Sequence, residues 1–99
     1  MPLDEQSFAT QIEDLAATFG FRHFHNLWSP GSDYGFPDYV LVNPEKQRIL
    51  FVEIKGTRGM ITAEQAYWLE DLMEAKQEVW VWWPEDFDNI AGILRRERR

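Results

Sequence analysis

Near the start of the chain apolar residues recur every three or four positions: Phe8, Ile12, Leu15, Ala16 and Phe19. That spacing predicts one buried helical stripe. Asp4 stands where an N-cap belongs, Leu3 and Phe8 bracket it as a hydrophobic staple, and Gly20 stops the run. Residues 21–28 are rich in aromatics and predict a strand, followed by a polar loop over 29–36 and a second strand over 39–42. A turn through 43–47 leads into a third strand over 48–55. Ile49 and Phe51 point to one face of it and Leu50, Val52 and Ile54 to the other, the pattern of a strand buried on both sides. Gly56-Thr57-Arg58-Gly59 breaks that strand. Thr62-Ala63-Glu64-Gln65 reads as a capping box opening a helix with Ala66, Leu69, Leu72 and Met73 inward. Residues 78–83 form a fourth strand, Pro84 ends it, and Glu85-Asp86 begin a short helix with Phe87, Ile90, Ile93 and Leu94 on one side.

Strands two and three make an antiparallel hairpin, whereas strand, helix and strand in succession make a right-handed crossover with parallel strands three and four. The expected class is therefore α/β, with a mixed central sheet. A length of 99 residues supports one core and not two. The reading is a single domain over 1–94 and a basic, fraying tail over 95–99. The longest apolar runs, 49–52 and 79–83, are far short of the roughly 20 residues that span a bilayer. Met1-Pro2-Leu3-Asp4-Glu5 lacks the plan of a signal peptide, and the absence of cysteine removes disulfides and thiolate sites. A cytoplasmic setting is expected.

The net charge of -7 is unevenly spread. Residues 1–94 hold sixteen acids and six bases, net -10, and the last five residues add +3. An acidic body argues against strong non-specific nucleic-acid binding, which depends on lysines and arginines displacing counterions. Any such contact has to use a local patch, the tail or a metal.

Candidate chemistry gathers at the end of the third strand. Glu53 and Lys55, two apart, share a face, and Asp38 opens the neighbouring hairpin strand where antiparallel pairing brings it opposite that end. Glu5 lies in the first helical turn on the stripe of Phe8 and Ile12. Buried charges must neutralise one another or coordinate something. Two or three carboxylates beside an ammonium suit a hard divalent cation with retained waters, the equipment for metal-assisted phosphodiester hydrolysis.

Pro37-Asp38, fourteen intervening residues and then Glu53-Ile54-Lys55 resemble the signature of the PD-(D/E)XK nucleases, in a matching helix-strand-strand-strand-helix-strand, restriction-endonuclease-like order. Gly20-Phe21, Gly35-Phe36, Phe51-Val52, Thr62 to Gln65 before Trp68-Leu69, and Val81-Trp82-Trp83-Pro84-Glu85-Asp86 make the chain most similar to the small stand-alone VRR-NUC domains of phages and prophages. The resemblance implies a Mg2+- or Mn2+-dependent deoxyribonuclease, with Asp38, Glu53 and the Ile54 carbonyl on the metal, Glu5 completing the acidic shell, Lys55 on the water and Gln65 supporting Lys55 or the phosphate. It also implies structure-selective endonuclease action on branched DNA such as four-way (Holliday) junctions, by a homodimer, in the host cytoplasm where the gene is a phage's. The competing class is a catalytically inactive nucleic-acid-binding or assembly module on the same fold.

Plainer roles stand beside these. Helix capping alone accounts for Gln65, and an N-terminal helix acid for Glu5. His23 reads as a packing residue, while His25, Ser29, Ser32 and Arg58 are candidate substrate contacts. Trp80, Trp82 and Trp83 read as core and subunit interface, because a chain this small does not easily hide five tryptophans. The arginine tail is the one concentrated positive charge and reads as a phosphate-binding arm, with a solubilising, frayed end as the alternative.

Overall fold

The computed structural model describes residues 3–98, so Met1 and Pro2 of the leader reading and Arg99 of the tail lie outside it. Its elements run α1 (Glu5–Thr18), β1 (Arg22–His25), β2 (Tyr39–Asn43), β3 (Arg48–Ile54), α2 (Ala63–Glu74), β4 (Glu78–Trp82), a 3-10 turn (Pro84–Asp86) and α3 (Phe87–Arg95). This is the expected order. Sheet order is β1-β2-β3-β4, with β1/β2 and β2/β3 antiparallel and β3/β4 parallel, so the sheet is mixed. Among the described residues no helix is long and apolar enough to cross a membrane.

One face of the sheet carries the core. Tyr39, Leu41, Leu50, Val52, Ile54 and Trp82 meet Phe8, Ile12 and Ala16 of α1 and Ile90, Ile93 and Leu94 of α3. Asp4 caps α1 by accepting from Ser7 N at 2.7 Å, as its place in the sequence predicts. The other face is covered less completely, because α2 alone crosses it. Ile49 stays 47% exposed, which corrects the expectation of a strand buried on both sides, and α2 buries Leu69 while Met73 remains 52% exposed. Phe87, at the first turn of α3, also stays partly outside.

One further expectation is corrected. β1 spans four residues and not eight, and all four of its side chains are exposed, because it is an edge strand that α1 only partly overlies. The tryptophans are largely housed within one chain. Trp82 is buried, Trp68, Trp80 and Trp83 are half-buried with their indole N–H groups donating to Tyr34 O, Glu78 and Gly59 O, and Trp28 alone is exposed. At the basic end Arg95 closes α3, Lys46 pairs with Glu97, and the Arg96 carbonyl accepts from Arg48 Nη1 at 2.7 Å.

Arg48, to which the sequence pattern gave no role, organises that end of the sheet. Its guanidinium is buried, makes a bidentate pair with Glu78 at 3.1 and 2.7 Å, and donates to the Ile93 and Leu94 carbonyls at the C-terminus of α3. Carbonyls left free at a helix end are thereby satisfied by a cation, which the helix dipole also favours.

Candidate active site

The antiparallel register that pairs Tyr39 with Val52 places Asp38 opposite Glu53 when carried one step further. Glu53, near the end of β3, and Lys55, just past it, are both buried, at 1% and 6% exposure. Side-chain parity turns them toward α2 and away from the apolar core. There Gln65 meets them. Its Oε1 accepts from Lys55 Nζ at 2.8 Å and from Thr62 N at 2.9 Å, and its Nε2 donates to Glu53 Oε2 at 2.9 Å. Lys55 Nζ lies 3.3 Å from the same Glu53 oxygen. The capping box is complete, so one amide both starts α2 and fixes the Glu53–Lys55 pair.

Asp38 is held from two sides. Its Oδ2 accepts from Ile54 N at 2.8 Å, and Asn26 brackets its backbone, taking Asp38 O at 2.7 Å with its own N–H and reaching Phe36 O at 3.3 Å with its side chain. Asn26 is a residue the sequence reading missed. The loop before Asp38 is pressed onto α2: at Gly35, with φ +88°, any Cβ would stand 2.6 Å from the Glu64 carbonyl carbon, so only glycine fits. At the exit of β3 a Cβ on Gly56 would stand 2.9 Å from Glu5 N. Thr57 N donates to Leu3 O at 3.0 Å, and Leu3 N donates to Thr57 Oγ1 at 2.9 Å. That strap sets the first turn of α1 beside the end of β3. Glu5 therefore stands at the rim of the site rather than within the core stripe.

Electrostatics ties these groups together. Burial, then the neighbouring Asp38 carboxylate, pushes the Glu53 carboxyl up to about 8, with Lys55 opposing. Burial and then Asp38 also raise Glu5, against Lys55 and His25. The second oxygen, Glu53 Oε1, is buried without a hydrogen-bond partner. A buried, unpartnered carboxylate oxygen beside a second carboxylate is costly as it stands and is relieved by a cation. Among the described residues no three His, Cys, Asp or Glu side chains gather closely enough to hold a metal ion, so Glu5 does not join Asp38 and Glu53 in a ready-made three-acid shell. Two neighbouring carboxylates are the kind of oxygen donor that a hard divalent cation favours.

Glu5, His25, Asp38 and Ile54 line one cleft of about 420 Å³ between α1 and the ends of β1 and β2. His25 stacks on Tyr39 at 4.3 Å between ring centroids, and Tyr39 donates to Glu13, which lies 3.9 Å from His23. Burial and Glu13 hold the Tyr39 phenol well above its ordinary value, so it stays a neutral donor. Of the other candidate contacts, Ser29 and Ser32 hydrogen-bond one another on the exposed loop and lie outside the cleft's lining. Arg58 is exposed in the turn that follows Lys55.

No curated protein matches the chain, and no solved structure matches it. A family model does, over residues 4–82, from the cap of α1 to the end of β4, and it takes in Asp38, Glu53, Lys55 and Gln65. VRR-NUC domains have the PD-(D/E)XK fold, and membership implies a nuclease-type function with DNA as partner. With four-fifths of its residues inside that match, and the mixed sheet and helices described above, the chain belongs to the VRR-NUC domain family.

Proposed function

We propose that the protein is a Mg2+- or Mn2+-dependent endonuclease that cuts branched DNA, four-way junctions included, as a homodimer. Asp38, Glu53 and the Ile54 carbonyl hold the cation, and Glu5 adds negative charge at its rim. When bound, a divalent cation supplies charge neutralisation at the phosphate and a water acidified for attack. Lys55 does the rest of the electrostatic work. Its ammonium, aimed by Gln65 Oε1, donates toward the water and the phosphate oxygens, where negative charge grows as the new P–O bond forms and the bond to the leaving oxygen breaks. Glu53 is locked by Gln65 Nε2 on one oxygen and keeps the other free for the cation. His25, on its Tyr39 platform, and Arg58 face the substrate.

The observation that carries this reading is the unpartnered Glu53 oxygen beside Asp38 and Lys55. Exposed Phe24, Leu27, Trp28 and Tyr34, on and beside the edge strand β1, support a second copy as partner. Two cuts related by a two-fold axis suit a symmetric dimer. The test incubates labelled four-way junction, flap and linear duplex with the protein and with Lys55→Ala, with and without Mg2+ or Mn2+. Metal-dependent products lost in the variant support the nuclease. Equal, metal-independent binding by both proteins would instead establish the inactive binding module.

A further inference from the structure

A groove of about 740 Å³ lies at the other end of the sheet, between the start of β3, the start of β4 and the residues after α3. Lys76, Arg96 and Arg98 line it together with Gln47, Gln77, Ile49 and Trp80. Two acids line it as well, and both are engaged: Glu78 by Arg48 and the Trp80 indole, Glu97 by Lys46. Among the described residues Lys76, Arg96 and Arg98 have no carboxylate within ion-pairing distance. In a chain whose first 94 residues carry -10, this is a concentrated and uncompensated positive surface.

The backbone makes the same point independently. Only two non-glycine residues among those described lie in the left-handed region, Gln47 at φ 54° and Lys76 at φ 68°, and both line this groove. Lys76 occupies the position after the C-cap of α2, with Lys76 N on Met73 O and Gln77 N on Leu72 O, both at 3.0 Å. Glycine is the usual residue in that motif, since any Cβ there is strained. A lysine at such a place adds a cation to the groove at the expense of stability. Arg96 is steadied beside it, its guanidinium 5.9 Å from the Trp80 ring centroid.

We infer that this groove is a second DNA contact, binding the phosphodiester backbone of an arm remote from the bond that is cut. The inference rests on the nuclease reading for the identity of the polymer. β3 runs seven residues from Arg48 to Ile54. At about 3.3 Å per residue the groove and the Glu53–Lys55 pocket stand roughly 20 Å apart, or about six base pairs along a duplex. Contacts that far from the chemistry act on substrate affinity more than on turnover.

Fluorescence anisotropy with a labelled duplex long enough to reach both sites, in EDTA so that nothing is cut, tests this. The triple variant Lys76→Gly/Arg96→Gln/Arg98→Gln binds at least about tenfold more weakly, and its log K against log salt flattens by about 2–3, close to 0.9 per lost phosphate contact. Lys76→Gly alone melts higher than the parent yet binds less tightly, so misfolding does not explain the loss. Glu97→Gln, at an exposed position, binds tighter by releasing Lys46. With Mg2+ present the triple variant raises KM more than it lowers kcat. Unchanged affinity and salt slope in the triple variant, or a wild-type protein that retains RNA and no DNA, overturns the inference. Cleavage by the parent and its loss in Lys55→Ala reports on the pocket separately, so either site can fail while the other stands.

Discussion

The two ends of β3 each bury a cation beside a glutamate, and they treat the pair in opposite ways. At the first end Arg48 is satisfied completely: two oxygens of Glu78 and three carbonyls at the end of α3 take its donors. At the second end Lys55 and Gln65 share one oxygen of Glu53 and leave the other with nothing. A closed network of this kind holds structure together, whereas an open one is poised to receive a ligand. The contrast separates architecture from chemistry within a single strand, where charge and burial alone would rank both ends alike.

Opposite substitutions sharpen that contrast. Glu53→Gln should cost at least about 10²–10³-fold in cleavage rate, the usual loss when one electrostatic group acting on the transition state is removed. Its melting temperature at pH 8 should nevertheless hold or rise, since the unpartnered oxygen and the repulsion between Glu53 and Asp38 have gone while Gln65 still holds Lys55. Arg48→Met should do the reverse. Breaking a buried pair costs about 3 kcal/mol, which for a domain of this size lowers the melting temperature by roughly 12–24 °C in scanning calorimetry. Cleavage measured well below that temperature should fall far less than in Glu53→Gln. A result in which both variants lose activity and stability together would erase the distinction.

Acid–base linkage offers a second way to break it. The folded Glu53 carboxyl titrates near 8 against 4.5 for its ordinary value, so the folded state holds the proton more tightly than the unfolded chain. Its contribution to stability is fully present below 4.5 and is lost as pH rises toward and through 8. Glu5, also raised, acts in the same direction. The metal-free protein should therefore melt several degrees lower at pH 8.5 than at pH 5.5, and Glu53→Gln should flatten that slope. Mg2+ competes with the proton, so its stabilising effect should be larger at the higher pH; an effect independent of pH would place the cation elsewhere.

The smallest expected effect concerns Gln65. Glu is as good as Gln at that capping position, so Gln65→Glu keeps the start of α2 but replaces the amide N–H that locks Glu53 by a repelling oxygen. Cleavage should drop by about tenfold, as for other residues one step removed from a metal, with little change in the far-ultraviolet dichroism. A variant as active as the parent would reduce Gln65 to a helix cap.

What could be read from the sequence follows a physical line. Alternation along β3 and the hairpin register needed only local periodicity, and they sufficed to bring Asp38, Glu53 and Lys55 to one place. Gln65 was legible as a cap because its partner Thr62 is three residues away, while its contacts to Glu53 and Lys55 depend on how α2 folds back on the sheet. Arg48 and Asn26 could not be assigned in this way. Their partners are mostly backbone carbonyls, which every residue carries, and for Arg48 these lie 45 to 48 positions along the chain. Met73 and Ile49 were misplaced for a related reason: periodicity marks which residues share a side, but not whether enough chain exists to cover that side.

The double duty of the Gln65 amide has a further consequence. Because the group that begins α2 is also the clamp on the Glu53–Lys55 pair, melting of the first turn of that helix removes two hydrogen bonds to the pair at once and leaves only the direct 3.3 Å contact between Glu53 and Lys55. Heat, denaturant or a protease nick at Thr62 would loosen the centre as the turn melts. Local opening and loss of activity are then coupled through a single amide.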